Sequence, residues 1–453
     1  MKISRLLSCC LAATAAAVAA CGGSSGGGGG TTPPVIPSAS PTPSGQKIQH
    51  VVILIQENRT VDNLFNGYPG ADTVTQGMGQ DPNNPGKQIV IKLKQMPLQM
   101  KLAPHNGYPQ FEASYDGGKM DGFNTIRVEN NQDLSYVYQY ANRSDVQPYW
   151  NLAQQYVLAD RTFSTQGSGS FTAHQDLIAA GTKINSTQAL IDFPSQQPWG
   201  CDAPAGTTTA LITTKKVYLP TPAGPFPCLG YKTLRDLLDA KGVSWKYYVP
   251  PIGSGFDGNI WNAFDAIHAV RYGSEWKTNV VATTNLLPDI SSGKLASVTW
   301  VCPDFANSDH PGSHPDMGPS WVAQVVNAIG QSQYWNTTAI VVVWDDWGGL
   351  YDHVPPQQID YQGLGIRVPM LIVSPYAKKG YVSHTQYEFG SLVKFIEATW
   401  NLGSLGNTDV RANTIDDSFN FLQNPRPFSP IPAKYSRTFF LHQRPSNHPL
   451  DDE

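Results

Sequence analysis

Three features of this 453-residue chain predict an α/β fold. Short β-branched runs recur at "VVILIQ", "VSWKYYV", "SVTWVC", "AIVVVW" and "VPMLIVS", each apolar on both faces, as strands of a parallel sheet covered by helices are. Amphipathic helical patterns lie between them. No repeat of fixed period is visible, which counts against a solenoid or propeller. The expectation is a largely parallel sheet flanked by helices, with long irregular insertions around 66–145 and 183–232.

The N-terminus reads as an export segment. "MKISRLLSCCLAATAAAVAA", residues 1–20, has Lys2 and Arg5 ahead of a short apolar stretch and small residues at its end, the layout of a cleaved signal peptide. "VAAC", Val18 to Cys21, resembles a bacterial lipobox, which implies that Cys21 carries lipid. Residues 21–45 are rich in Gly, Ser and Pro and bury too little apolar surface to fold, so they form a tether. The expected localisation is an exported, membrane-anchored lipoprotein on the periplasmic or cell-surface side, with residues 46–453 as a single folded domain. Cys201 and Cys228 bracket a Pro- and Gly-rich loop and are expected to form a disulfide, as an oxidising compartment permits. Cys302, in an apolar strand, is expected to be a buried free thiol. Charged residues are 15% of the chain and the formal net charge is -4, so no basic stripe suggests a nucleic-acid partner.

Each helix has its own signal. "TLRDLLDAKG" opens on a Thr cap and closes on Gly. "PSWVAQVVNAIGQS" sets Trp321, Val322, Val325, Val326 and Ile329 on one stripe, and "QYEFGSLVKFIEATWNL" does so with Phe389, Leu392, Val393, Ile396 and Trp400.

In such sheets ligands bind beyond the carboxyl ends of the strands, which is where this chain keeps its acids. The first strand ends in Gln56, Glu57 and Asn58, and "AIVVVW" ends in Asp345 and Asp346 followed by "WGGLYDHVPP". Together they offer three carboxylates and an amide oxygen, the donors a hard divalent cation prefers. Adjacent Asp residues in a regular strand point to opposite faces, so both reach one site only if the chain turns, and Gly348-Gly349 supplies a turn. Read alone, either cluster is equally a set of strand-end caps. In "STQGSGSFTAHQDLIAAGT", Ser170 falls at a helix start, where free N–H groups favour an anion, and His174 is one turn on. A serine there can attack phosphorus, although an N-cap role is the commoner one. Neither a G-x-S-x-G elbow nor a phosphate-binding G-x-x-x-x-G-K-[ST] loop occurs. His105, His268, His310 and His314 complete the inventory; "DHPGSHPD" is a poor place to bury a histidine for packing.

"HVVILIQENRTVDNLF", "GGKMDGF", "VVVWDDWGGLYDHVPP" and "RVPMLIVSPYAKKGYVSH" together resemble the bacterial phosphoesterases that include respiratory-burst-inhibiting acid phosphatases and non-haemolytic phospholipases C. The resemblance runs from about Ile48 to about Leu402. It implies an alkaline-phosphatase-like core and a phosphoesterase catalytic domain. It also implies one divalent metal (Ca, Mg, Mn or Zn, with Fe also compatible) held by Glu57, Asn58, Asp345, Asp346 and the Ser170 hydroxyl. Ser170 would be the nucleophile, with His105 and His310 contacting the phosphoryl group; His268 is a looser match, and His174, His314 and His353 are without assigned roles. "QENRTVDNLFNG" departs from the family's "QENRSFDHYFG" by placing Asn63 where a histidine is usual. "SFTAH" is closer to the acid phosphatase branch than the phospholipases' "TFPNR". The expected function is therefore a phosphomonoesterase acting through phosphoserine, with a phospholipase C cutting phospholipid head groups, or a non-catalytic binding lipoprotein, as alternatives.

Overall fold

In this computed structural model, residues 47–252, 260–312 and 317–444 are described; they lie in one unit, Pro41–Glu453. The leader, Cys21, the tether and His314 lie outside the described residues.

The main sheet has eight strands: β1 (His50–Gln56), β2 (Val157–Phe163), β3 (Trp245–Val249), β4 (Val280–Ala282), β5 (Val298–Val301), β6 (Thr338–Trp344), β7 (Arg367–Val373) and β8 (Tyr381–Ser383). Their spatial order is β4-β3-β5-β1-β6-β7-β2-β8. Only β7 runs antiparallel to its neighbours. The runs "ILI" of β1 and "VVV" of β6 are wholly buried, because helices cover both faces. Pro369, which has no N–H to donate, falls where the β7–β2 register shifts, so the sheet accommodates it as an irregularity.

Helices follow their sequence signals. α1 (Gln147–Gln155) and α2 (Ser170–Ala179) flank the sheet, and α3 (Leu234–Ala240) starts at a capping box between Thr233 and Asp236. α4 (Met317–Gly330) is buried nearly all round, and α5 (Phe389–Trp400) buries Phe389, Leu392, Val393 and Ile396 while Trp400 is half-buried.

The two long insertions are more regular than expected. Residues 66–145 carry an antiparallel pair, Gln76–Gln80 with Gln88–Lys92, and a parallel pair, Lys94–Met96 with Gln139–Ala141. The segment 183–232 contains a four-stranded antiparallel sheet running from Lys183–Asn185 to Tyr218–Leu219. The Cys201–Cys228 disulfide ties its loop, and Cys302 is the free, buried thiol among the described residues. None of the described helices is long and apolar enough to cross a membrane.

Candidate active site

β1 and β6 are parallel neighbours in register, Gln56 opposite Trp344, so Glu57 and Asp345 leave the sheet side by side. The last ladder bond runs from the Asp345 N–H to the Gln56 carbonyl, 2.9 Å. Beyond it both chains turn. Asn58 takes a left-handed φ of 61° and donates its N–H to Asp345 Oδ1 at 3.0 Å; the Asp346 N–H reaches the same oxygen at 2.7 Å. Asp346 Oδ1 accepts the Gly348 N–H at 2.6 Å and Asn106 Nδ2 at 3.0 Å. Each aspartate thus has one oxygen pinned by donors and the other turned to a different partner. Asp345 Oδ2 makes no hydrogen bond and lies 3.6 Å from His174 Nε2. Asp346 Oδ2 accepts the Ser170 hydroxyl at 3.2 Å.

Ser170 is the first residue of α2. Gly169 is the N-cap, so the serine is not the capping residue and its hydroxyl donates to Asp346 instead. A Cβ on Gly169 would sit 1.9 Å from Phe193 Cζ, so only glycine lets the entering loop pack there. One turn on, His174 shares the Ser170 face, and its Nε2 lies 3.2 and 3.5 Å from the two Glu57 oxygens.

Glu57, Ser170, Asp345 and Asp346 have no exposed surface, and His174 and Asn58 retain 1% and 3%. Glu57, Asp345 and Asp346 are three carboxylates buried around one imidazole, an anionic set that favours a cation beside it. Oxygens of Glu57 and Asp345 lie within 4.8 Å of each other and of His174 Nε2, which faces both carboxylates, and Asp345 Oδ2 is not otherwise bonded. The donor set fits a divalent cation. Asn58, Asp346 and Ser170 adjoin it.

A second acidic group, Asp62, Asp352 and His353, is equally tight but saturated. Arg367 Nε donates to both Asp352 oxygens at 3.0 and 3.2 Å; Asp62 Oδ1 accepts the Val74 N–H and Oδ2 the His353 N–H. His353 spans Asp62 (2.7 Å) and Asp72 (3.1 Å) through its two ring nitrogens. Burial pushes the Asp352 carboxyl up to about 6 against the restraining charge of Arg367. Burial disfavours the His353 cation, yet the bond and charge of Asp62 outweigh it and hold that pKa above its ordinary value. This cluster is an ion-pair network joining the loops that follow β1 and β6, supported by the Thr60 hydroxyl on the Tyr351 carbonyl.

The structure therefore brings together Glu57, Asn58, Ser170, Asp345 and Asp346. His310 lies buried on the neighbouring loop after β5, its Nδ1 3.0 Å from the Pro311 carbonyl and its ring against Trp261 and Phe305. The loop is fastened to the site's backbone: the Asp309 N–H bonds Gln56 Oε1, and Arg59 Nε bonds the Asp309 carbonyl. His105 is half-buried and next to Asn106, which holds Asp346. His268 is not part of the group. It is exposed, its ring edge-on to Tyr272, and its contacts do not reach Ser170 or the carboxylates. Sequence reasoning missed Asn106, whose only signal was its place in "PHNGY", and left His174 without a role although helical spacing set it on the Ser170 face.

Strand ends here bring buried acids to a serine at a helix N-terminus, an arrangement able to place a cation and an anion side by side. The model of the Phosphoesterase family matches residues 48–403, and the chain belongs to that family. Among curated relatives, the chain is 26% identical to the non-hemolytic phospholipase C of Burkholderia pseudomallei (strain K96243), over 81% of this chain and 57% of that protein. It therefore spans little more than half of that relative's length. It is 23% identical to phospholipase C A of Mycobacterium tuberculosis (84% and 79% covered) and 26% identical to non-specific phospholipase C3 of Arabidopsis thaliana (86% and 76%). A solved protein of the alkaline phosphatase superfamily from Vibrio parahaemolyticus aligns at 10% identity with a TM-score of 0.38, over 82% of this chain and 72% of that one.

Proposed function

We propose that the protein cleaves phosphate esters by forming a phosphoserine at Ser170. The observation that carries this reading is the Ser170 hydroxyl bonded to Asp346 Oδ2 within a fully buried trio of carboxylates. Asp346 is held by Asn106 and Gly348, so it can accept the serine proton without moving. The Oγ–P bond forms as the P–O bond to the alcohol breaks, and the leaving oxygen takes up one proton, balancing the one Ser170 gives to Asp346. Water then hydrolyses the phosphoserine, restoring the hydroxyl. The N–H groups at the start of α2 favour the anionic phosphoryl group throughout. His310 and His105, on loops tied to the site, are the candidate donors to its oxygens. A divalent cation, Ca, Mg, Mn or Zn, held by Glu57, Asn58, Asp345 and Asp346 would neutralise phosphoryl charge and lower the pKa of the Ser170 hydroxyl.

The phosphomonoesterase reading rests on the serine nucleophile in "SFTAH". A phospholipase C reading is favoured by the names of the relatives and by an apolar pocket lined by Pro250, Leu286, Trp321 and Phe440, at the same end of the sheet as the site. The leader and Cys21 support attachment to a membrane on the exported side, and loss of lipid labelling in Cys21→Ser tests this.

Product analysis on p-nitrophenyl phosphate and phosphatidylcholine, with Ser170→Ala as control, tests the function. Phosphate from the monoester, lost in the variant and without diacylglycerol from the lipid, supports a phosphomonoesterase. Diacylglycerol makes it a phospholipase C. Inactivity on both with several metals leaves the non-catalytic binding lipoprotein.

A further inference from the structure

We infer that His174 is a positioning residue for the Glu57 carboxylate, and that the Cys302 thiol behind it fixes which ring nitrogen carries the proton. The inference rests on the reading of Glu57 and Asp345 as metal-holding groups.

His174 Nε2 faces both Glu57 oxygens, at 3.2 and 3.5 Å. A bare nitrogen lone pair there would repel the carboxylate, so Nε2 carries hydrogen and donates. Nδ1 is then the acceptor, and the group facing it is Cys302 Sγ at 3.7 Å, within reach for a sulfur donor. Cys302 follows β5, the strand beside β1, and is fully buried. Tyr247 Oη lies 3.1 Å from the sulfur and donates to the Trp261 carbonyl at 3.0 Å; the Cys302 Sγ is itself 3.6 Å from that carbonyl, a second acceptor for its hydrogen beside His174 Nδ1. Burial keeps the thiol protonated and pushes its pKa up to about 12. The S–H therefore persists as a donor, shared between the Trp261 carbonyl at 3.6 Å and His174 Nδ1 at 3.7 Å.

Helix α2, strand β5 and the turn after β1 thus join in one chain of bonds, Cys302 S–H to His174 Nδ1 and His174 Nε2–H to Glu57. Such outer bonds orient a ligating carboxylate, and their loss typically weakens metal binding 10- to 100-fold. His174 does for Glu57 what the Asn58, Asn106 and Gly348 N–H groups do for the two aspartates.

The test uses the mature protein, with Mn²⁺ as the probe and its affinity read by electron paramagnetic resonance of the free ion. His174→Leu is expected to weaken Mn²⁺ binding 10- to 100-fold. His174→Gln, whose amide N–H can replace the Nε2 donor, is expected to restore it to within about 3-fold of wild type. Cys302→Ser, which keeps a donor, should bind as wild type, and Cys302→Ala more weakly. Wild-type affinity in His174→Leu overturns the inference. So does a nitrogen coupling to bound Mn²⁺ that both His174 variants lose, because His174 would then be a ligand. If the wild type binds neither Mn²⁺, Zn²⁺ nor Ca²⁺, the metal reading fails and takes this inference with it. If Mn²⁺ binds and only the variants disagree, the metal reading stands alone.

Discussion

Stripping divalent cations from the protein is expected to lower its melting temperature by about 3 °C, and Asp345→Asn is expected to abolish the difference. The magnitude follows from linkage: an ion present at 100 times its dissociation constant stabilises the folded state by about 2.7 kcal/mol. Unfolding entropy of about 2.1 cal/mol/K per residue, over a body of roughly 400 residues, makes each degree worth about 0.8 kcal/mol. Asparagine at 345 retains Oδ1, which accepts the Asn58 and Asp346 N–H groups, while removing one of three buried charges. The metal-free variant should therefore melt no lower than the metal-free wild type. The assay is thermal unfolding of chelator-treated protein, titrated separately with Ca²⁺, Mg²⁺, Mn²⁺ and Zn²⁺. If none of these ions raises the wild-type midpoint, or if Asp345→Asn responds as wild type does, the reasoning is refuted.

Arg367 is fully buried and bonds Asp352 through Nε and Nη2 and the Asp160 carbonyl through Nη1, so Arg367→Met should cost about 3–5 kcal/mol by urea unfolding. Adding Asp352→Asn, which removes the stranded charge, should recover part of that loss. The raised pKa of His353 stabilises the fold fully below 6.5, its unfolded value, and the contribution fades as pH rises through the higher folded value. His353→Gln should flatten the decline of stability on that alkaline side, and an unchanged pH profile would refute the pairing with Asp62 and Asp72. The Cys201–Cys228 bridge closes a loop of sequence separation 27, and Cys201→Ser with Cys228→Ser should lose about 3.5 kcal/mol by the same urea assay.

What the sequence disclosed depended on how local each signal is. The five doubly apolar runs correspond to β1, β3, β5, β6 and β7, because burial on both faces leaves an unbroken hydrophobic stretch. β2, "VLADRTF", went unread because Asp160 and Arg161 interrupt it. In the fold both acquire partners from distant segments: Asp160 accepts the Asp72 N–H and pairs with His384, and Arg161 pairs with Asp72. β4 and β8, three residues each, are too short to show a period. The strands of the 183–232 insertion are likewise short, and Ala189, Ile191, Ala210 and Ile212 find their small core only when paired. The acids were legible because carboxylates directly after fully apolar strands are difficult to place unless something charged meets them. His174 and Asn106 were not. Their partners, Glu57 and Asp346, are far away in the chain, and nothing near either residue announces the contact.

The turn inferred from Gly348-Gly349 is where local and long-range requirements meet. The strand stops at Trp344, so Asp345 and Asp346 escape the alternation that would send them to opposite faces. Gly348 has a φ of 57° and Asn58 one of 61°, and the two left-handed turns face each other across 290 residues of chain. A Cβ on Gly348 would lie 2.6 Å from both Asn58 Cβ and the Asn58 carbonyl oxygen, so the turns can interlock only through glycine. The Arg59 N–H to the Asp346 carbonyl, 3.0 Å, closes the same junction. The loops bearing the carboxylates are thus held by packing and backbone bonds as well as by any ion between them. A cation entering such a site adds its binding free energy to loops already held in place, so removing it should leave the fold intact and lower the melting temperature only by the amount linkage sets.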